Sequence, residues 1–164
     1  MNKESLTREQ LMSLVSYDQD TGRFTWVSAK RYGLVGKVAG TKMQGYVMIR
    51  INRIGYLAHR LAWLYVYGKF PNSGIDHING DTSDNRICNI READILQNMQ
   101  NKSRYKTNTT GYTGVYPAGD KYAAKIQSKG IGYYLGVYET AEEASYAYKK
   151  AKASMHTFNP GVRE

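Results

Sequence analysis

Hydrophobic and polar positions alternate most plainly over Tyr46-Val47-Met48-Ile49-Arg50-Ile51, a β-branched run that predicts a strand. Asn52 to Gly55 predicts a turn, and Tyr56-Leu57-Ala58 the returning strand. Phe24-Thr25-Trp26-Val27 predicts another strand, and Lys37-Val38-Ala39 a short one in a loop punctuated by Gly33, Gly36 and Gly40. Helical spacing flanks this region. Leu6, Leu11, Leu14 and Val15 form the apolar side of a helix capped by Ser5 or Thr7 and ending near Tyr17, where Asp18, Asp20 and Gly22 predict a turn. His59 to Tyr67 predicts a buried helix that stops at Gly68, with Pro71 just beyond. His59 has no carboxylate near it in sequence, so a packed, hydrogen-bonded structural role is expected. The expected product is a small antiparallel sheet with helices, its exposed face carrying Lys42, Arg50 and Arg53.

The pattern resets after a polar, basic stretch at 102–110. Strands are predicted at 112–116, 121–127 and 133–138, with turns at Gly119-Asp120 and Lys129-Gly130. Thr140 and Glu143 form a capping box that opens a helix running to about His156. Ala144, Ala147, Tyr148 and Ala151 give that helix a small-residue face suited to a sheet. The chain therefore reads as α+β, with residues 1–101 as one region, 102–110 as a linker and a βββα module at 111–158.

Between the two lies a stretch with a different character, IDHINGDTSDNRICNIREADILQNMQN, residues 75–101. Asp76-His77 ends a short strand, and alternation sends the two side chains to opposite faces unless the strand end twists. Gly80, Asp81, Asp84 and Asn85 predict a turn-rich loop, and Asn89-Ile90-Arg91 a returning strand. Asp94 is placed to cap a following helix, with Gln97 reciprocal and Asn98 one turn in. Oxygen ligands from Asp76 and Asn98 suit Mg²⁺ or Mn²⁺ rather than zinc, since Cys88 is the only thiol and no His pair lies at ligand spacing. His77, with an ordinary pKa of ~6.5, is suited to accepting a proton from water.

Composition adds a partner. The formal net charge is +9, and 15 residues are Tyr, which suits phosphate contacts and ring stacking on nucleic acid. From Thr21 to Ile75 there is no Asp or Glu but nine Lys and Arg, and acids then cluster between Asp76 and Asp94. A single cysteine excludes an intramolecular disulfide and fits a reducing, cytoplasmic setting. No apolar run reaches the ~18 residues of a membrane span, so no membrane partner is expected.

The central stretch resembles the HNH, or ββα-metal, nucleases of phage and intron homing type, in which the last His of the motif is Asn. His77, Asn89 and Asn98 stand as the three letters, with eleven and eight residues between them. HRLAWLYVYGKFP, DHINGD, NR, NI and QNMQN look like the same family over about 45–101. The resemblance implies that His77 is the general base, that Asp76 and Asn98 bind the divalent ion, and that Asn89 holds the loop that orients His77. Arg86 or Arg91 would contact the scissile phosphate. Glu92 and Asp94 depart from the apolar residue and Thr often found there.

The C-terminal module resembles the APETALA2/ERF-type DNA-binding domain, on YTGVY, KYAAKIQ, YYLGVYETAEEASYAY and the terminal helix. Alternation sends Val115, Ala124, Ile126 and Leu135 toward the helix. Tyr116, Lys125, Gln127 and Tyr134 take the opposite face, which the resemblance turns toward DNA. Lys121 and Lys129 are phosphate candidates near turns, and Arg50 and Arg53 extend the basic surface.

Together these features predict a divalent-metal-dependent endonuclease acting on double-stranded DNA. The expected form is a site-preferring nickase working as a monomer, in a bacterial or phage-infected cell; double-strand cutting would need a dimer or two visits. The rival reading is a non-enzymatic DNA-binding regulator or recombination accessory that keeps the HNH unit as scaffold. RNA binding is weaker, because a sheet suited to the major groove does not suit A-form RNA.

Overall fold

The computed structural model describes residues 6–28, 33–95, 97 and 108–156. The chain divides into two compact units, Met1–Asp94 and Ile95–Glu164.

The first unit begins with α1, Arg8–Leu14, capped by Thr7 in a reciprocal box with Gln10. Its other expected cap, Ser5, lies outside the described residues. The helix ends at Leu14, before the predicted end near Tyr17, because Val15–Asp18 is a strand, β1. Val15 and Tyr17 are buried while Ser16 and Asp18 face out. This period-two pattern is met by pairing with β2, Arg23–Trp26, with Val15 opposite Trp26 and Tyr17 opposite Phe24. The Asp18 carboxylate accepts from the amides of Asp20 and Thr21 in the connecting turn. The short strand expected at 37–39 is reduced to a single bridge between Val38 and Thr25.

A three-stranded antiparallel sheet follows, built from β3 (Thr41–Met43), β4 (Tyr46–Ile51) and β5 (Ile54–Leu57), with β4 central. Asn52 and Arg53 both take positive φ, the two-residue hairpin turn whose twist matches the strands. Helix α2, Ala58–Tyr67, ends at Gly68 with φ of 77°. Then come β6 (Gly74–His77) and β7 (Ile90–Ala93), an antiparallel pair joined by a long loop and a 3₁₀ turn at Ile87–Asn89. Asn89, expected to open the strand, stands in that turn instead. Leu11, Val15, Phe24, Ile49 and Leu61 are fully buried at the centre of this unit. The rings of Tyr17 and Tyr65 pack with Phe24, tilted or edge to face.

The second unit holds β8 (Val115–Ala118), β9 (Lys121–Ser128), β10 (Ile131–Tyr138) and α3 (Ala141–Met155), with β9 central in the sheet. The first strand starts at Val115 rather than Tyr112. Gly114 has a positive φ, and a Cβ there would sit 2.2 Å from the Tyr148 ring, so this turn closes directly on the helix. Thr140 and Glu143 form the expected capping box. Val115, Ala124 and Ala144 are buried between sheet and helix, with Leu135 packed at their edge. The architecture is thus mixed α+β with small antiparallel sheets.

Candidate active site

Cross-strand partners fix the two faces of the β6–β7 hairpin. Asp76 lies opposite Arg91, and His77 opposite Ile90. Ile75 and Ile90 belong to the core, so His77 leaves the hairpin toward α2. Asp76 leaves from the other face, as strand alternation requires.

The loop between the strands is a closed network of hydrogen bonds. The Asn89 side chain joins its two ends: Oδ1 accepts from the Asn79 amide at 3.0 Å, and Nδ2 donates to the Asp84 carbonyl at 2.9 Å. The Asn79 side chain donates to Asp84 at 2.8 Å, and Ile78 N donates to the Asn89 carbonyl at 2.8 Å. Asp81 accepts from the amide and hydroxyl of Ser83. Three outside elements press on this loop. Thr82 donates to the Gly45 carbonyl at 2.7 Å, and the Tyr17 hydroxyl donates to the Asn85 carbonyl at 2.6 Å. At Gly22, with φ of 68°, a Cβ would stand 2.5 Å from the Arg86 nitrogen.

His77 is 4% exposed. Its ring is edge-on to His59 at 5.0 Å between centroids, and Tyr46 lies 6.2 Å away. Burial holds the His77 imidazole below its ordinary range, against the upward pull of Asn85 and of the Asp76, Asp84 and Asp81 carboxylates. The ring is therefore neutral near neutral pH, the form that accepts a proton. Asp76 is also buried, and Arg91 donates to one of its carboxylate oxygens through Nε at 3.1 Å and Nη2 at 2.8 Å.

Among the described residues, no group of three or more His, Cys, Asp or Glu is placed to hold a metal ion. The Asp76 carboxylate is a hard oxygen donor, which fits Mg²⁺ or Mn²⁺ with retained waters. Its expected partner, Asn98, lies outside the described residues. Ile95 and Gln97 have helical backbone, in keeping with a helix after Asp94.

The sequence-derived DNA contacts divide into two groups. Arg86 and Arg91 are engaged within the hairpin, Arg86 by both carboxylate oxygens of Asp84 at 2.8 and 2.6 Å. Lys121 pairs with Glu139. Arg50, Arg53, Lys125, Gln127, Lys129, Tyr116 and Tyr134 are exposed. Tyr134 lies directly across from Lys125, and Tyr116 across from Ala123. Tyr116, Lys125 and Gln127 line a shallow cavity with Gly114, Ile126 and Gly132.

Sequence reasoning missed His59, Tyr46 and Asn85 as neighbours of His77. His59 is packed as expected, but its Nδ1 is buried without a hydrogen-bond partner, and its neighbour is an imidazole far along the chain. Only the fold brings α2 against β6.

Residues 56–100 match the HNH endonuclease family, a stretch that takes in the end of β5, α2 and the whole β6–β7 hairpin. No curated protein and no solved structure matched the chain. The match supports a nuclease domain of the HNH type in this part of the chain.

Proposed function

We propose that the protein is a divalent-metal-dependent DNA endonuclease of homing type that nicks one strand at preferred sites. The single observation that carries this is His77: a buried, neutral imidazole on a hairpin clamped by Asn89, within the matched segment. His77 takes the proton from the attacking water. Asn89 ties the loop ends and so fixes the backbone that bears His77. Asp76 and Asn98 would hold Mg²⁺ or Mn²⁺, which when bound would neutralise charge at the phosphate. Arg91, across the hairpin from Asp76, orients that carboxylate through two hydrogen bonds to one of its oxygens.

The second unit serves as a DNA reader of the APETALA2/ERF type. Its exposed sheet face presents Tyr116, Lys125, Gln127 and Tyr134 to the major groove, while Lys121 and Lys129 meet phosphates. Arg50, Arg53 and Arg86 add backbone contacts from the first unit. With one metal site per chain, a monomer cuts one strand at a time.

Supercoiled plasmid incubated with Mg²⁺ or Mn²⁺ tests this reading. Nicked circles should appear before linear product, and a chelator should abolish both. Linear product forming first-order in protein without a nicked intermediate contradicts single-strand nicking. No cleavage of phage or host DNA with either ion favours the non-enzymatic DNA-binding alternative.

A further inference from the structure

Tyr46 opens β4 on the face turned away from the core. Ile49 and Ile51 are buried and Val47 packs with them, so alternation puts Tyr46, Met48 and Arg50 on the outer face. Tyr46 and Arg50 stand about 13–14 Å apart along the strand. Met48, between them, lies across Gly55, where a Cβ would stand 2.9 Å from its sulfur. Thr41, Met43 and Leu57 complete the face from the neighbouring strands, and none of these residues is acidic. At the end of this face the Tyr46 ring meets two imidazoles, His59 at 5.6 Å and His77 at 6.2 Å between centroids. The ring is half-buried there. Among the described residues its hydroxyl has no hydrogen-bond partner, and it is not one of the buried polar atoms, so it reaches solvent from a ring that lies against His77. The turn before it is fastened to the hairpin loop. Gln44 and Gly45 both have positive φ, and Thr82 donates to the Gly45 carbonyl at 2.7 Å. Tyr46 therefore starts its strand one residue from an anchor on the loop that carries Asp84 and Asn85.

We propose that Tyr46 is a substrate-contacting residue of this site, its hydroxyl donating a hydrogen bond to a non-bridging oxygen of the phosphate being cut. The inference rests on His77 being the base. Two features choose phosphate over a nucleobase. The ring is already packed against two imidazoles, so it is not a free platform for stacking, and what it offers is an O–H donor. The face it ends carries Arg50 and no acid, which suits a line of phosphates. A donor at that oxygen gains strength as charge builds on the phosphate, and its proton stays on the tyrosine throughout. Packing alone is satisfied by phenylalanine at residue 46; it gives no reason for an open hydroxyl at the edge of the site. Tyr46 lies ahead of the matched segment, which begins at residue 56.

Tyr46→Phe keeps the ring against both histidines and removes only the hydroxyl. Single-turnover cleavage of duplex DNA in Mg²⁺, affinity for the same duplex and the ¹⁵N shifts of the His77 imidazole are measured for wild type and variant. The rate at saturating DNA should fall about 100-fold, the scale for losing one donor aimed at developing charge. Affinity should fall by less than about tenfold, as for one lost hydrogen bond. The His77 shifts should stay in place, because the hydroxyl acts on substrate and not through the imidazole. A folded Tyr46→Phe that cuts at the wild-type rate overturns the proposal. So does a slow variant whose His77 shifts have moved, since the hydroxyl then acts through His77. A second measurement stands apart from activity. In protein labelled with ¹³C at tyrosine Cζ, the Tyr46 signal, assigned by its loss in Tyr46→Phe, should shift on saturation with duplex DNA in the absence of Mg²⁺. If the wild type cuts no DNA in Mg²⁺, the nuclease reading fails, and this signal alone decides whether the Tyr46 hydroxyl meets DNA; an unmoved signal overturns the proposal.

Discussion

Single residues carry the chemistry of the hairpin, and two of them show how. Asn89 spans the loop with one acceptor and one donor, so Asn89→Ala removes both bonds at once. The Asn79 amide and Asp84 carbonyl lose their partner, and the unit should lose about 2–3 kcal/mol on the scale of an unmade buried hydrogen bond. Denaturant titration measures this, and cleavage should fall further than stability alone explains. His59 predicts a pH effect. Its folded pKa, about 3, lies below its unfolded value, so below about 6.5 the unfolded chain binds a proton that the folded one does not. Stability therefore falls as pH drops from 6.5 toward 3, and His77 shifts in the same direction. Between pH 7.5 and 5.5 the His59 contribution is about 1.4 kcal/mol. Unfolding free energies from denaturant titration at the two pH values should converge in His59→Phe by about that amount.

Elements decide how much of this was legible. The Tyr46–Ile51 strand, the α2 stop at Gly68 and the Thr140 capping box were plain in the sequence, because each rests on local signals: alternation, a left-handed glycine, a reciprocal cap. Val15 and Tyr17 misled, since their apolar spacing continues the helix while long-range pairing with Trp26 and Phe24 makes a strand. Asn89 was singled out by motif spacing, but its turn geometry came from the loop it closes. The cluster of His59, Tyr46 and Asn85 was illegible, because nothing local tells α2 to pack on β6. Gly22 shows the same dependence on distant contacts. Its turn closes on Asn85 and Arg86, and its φ is left-handed. Gly22→Ala should cost at least about 1–2 kcal/mol from backbone strain, plus the clash. It should loosen the loop carrying Asp84 and Asn85, read as faster amide exchange at 84–86.

At the scale of the whole molecule, a basic chain of net charge +9 carries a hairpin in its first unit and an exposed sheet face in its second. No helix among the described residues is long and apolar enough to cross a membrane. Affinity for duplex DNA should fall steeply with salt, as counterion release requires. Lys125→Ala with Tyr134→Ala should weaken binding at least tenfold while leaving the single-turnover rate at saturating DNA within about twofold, because the pair lies on the exposed sheet face proposed to meet DNA and not on the hairpin. The central claim is that His77 performs the proton transfer of a metal-dependent cut. The most direct measurement compares wild type and His77→Ala for cleavage of duplex DNA in Mg²⁺ and for affinity in the same buffer. The rate should fall by about 10² or more, as loss of a general base predicts, with affinity nearly unchanged. Cleavage by His77→Ala at the wild-type rate, with the protein folded and DNA bound, contradicts it.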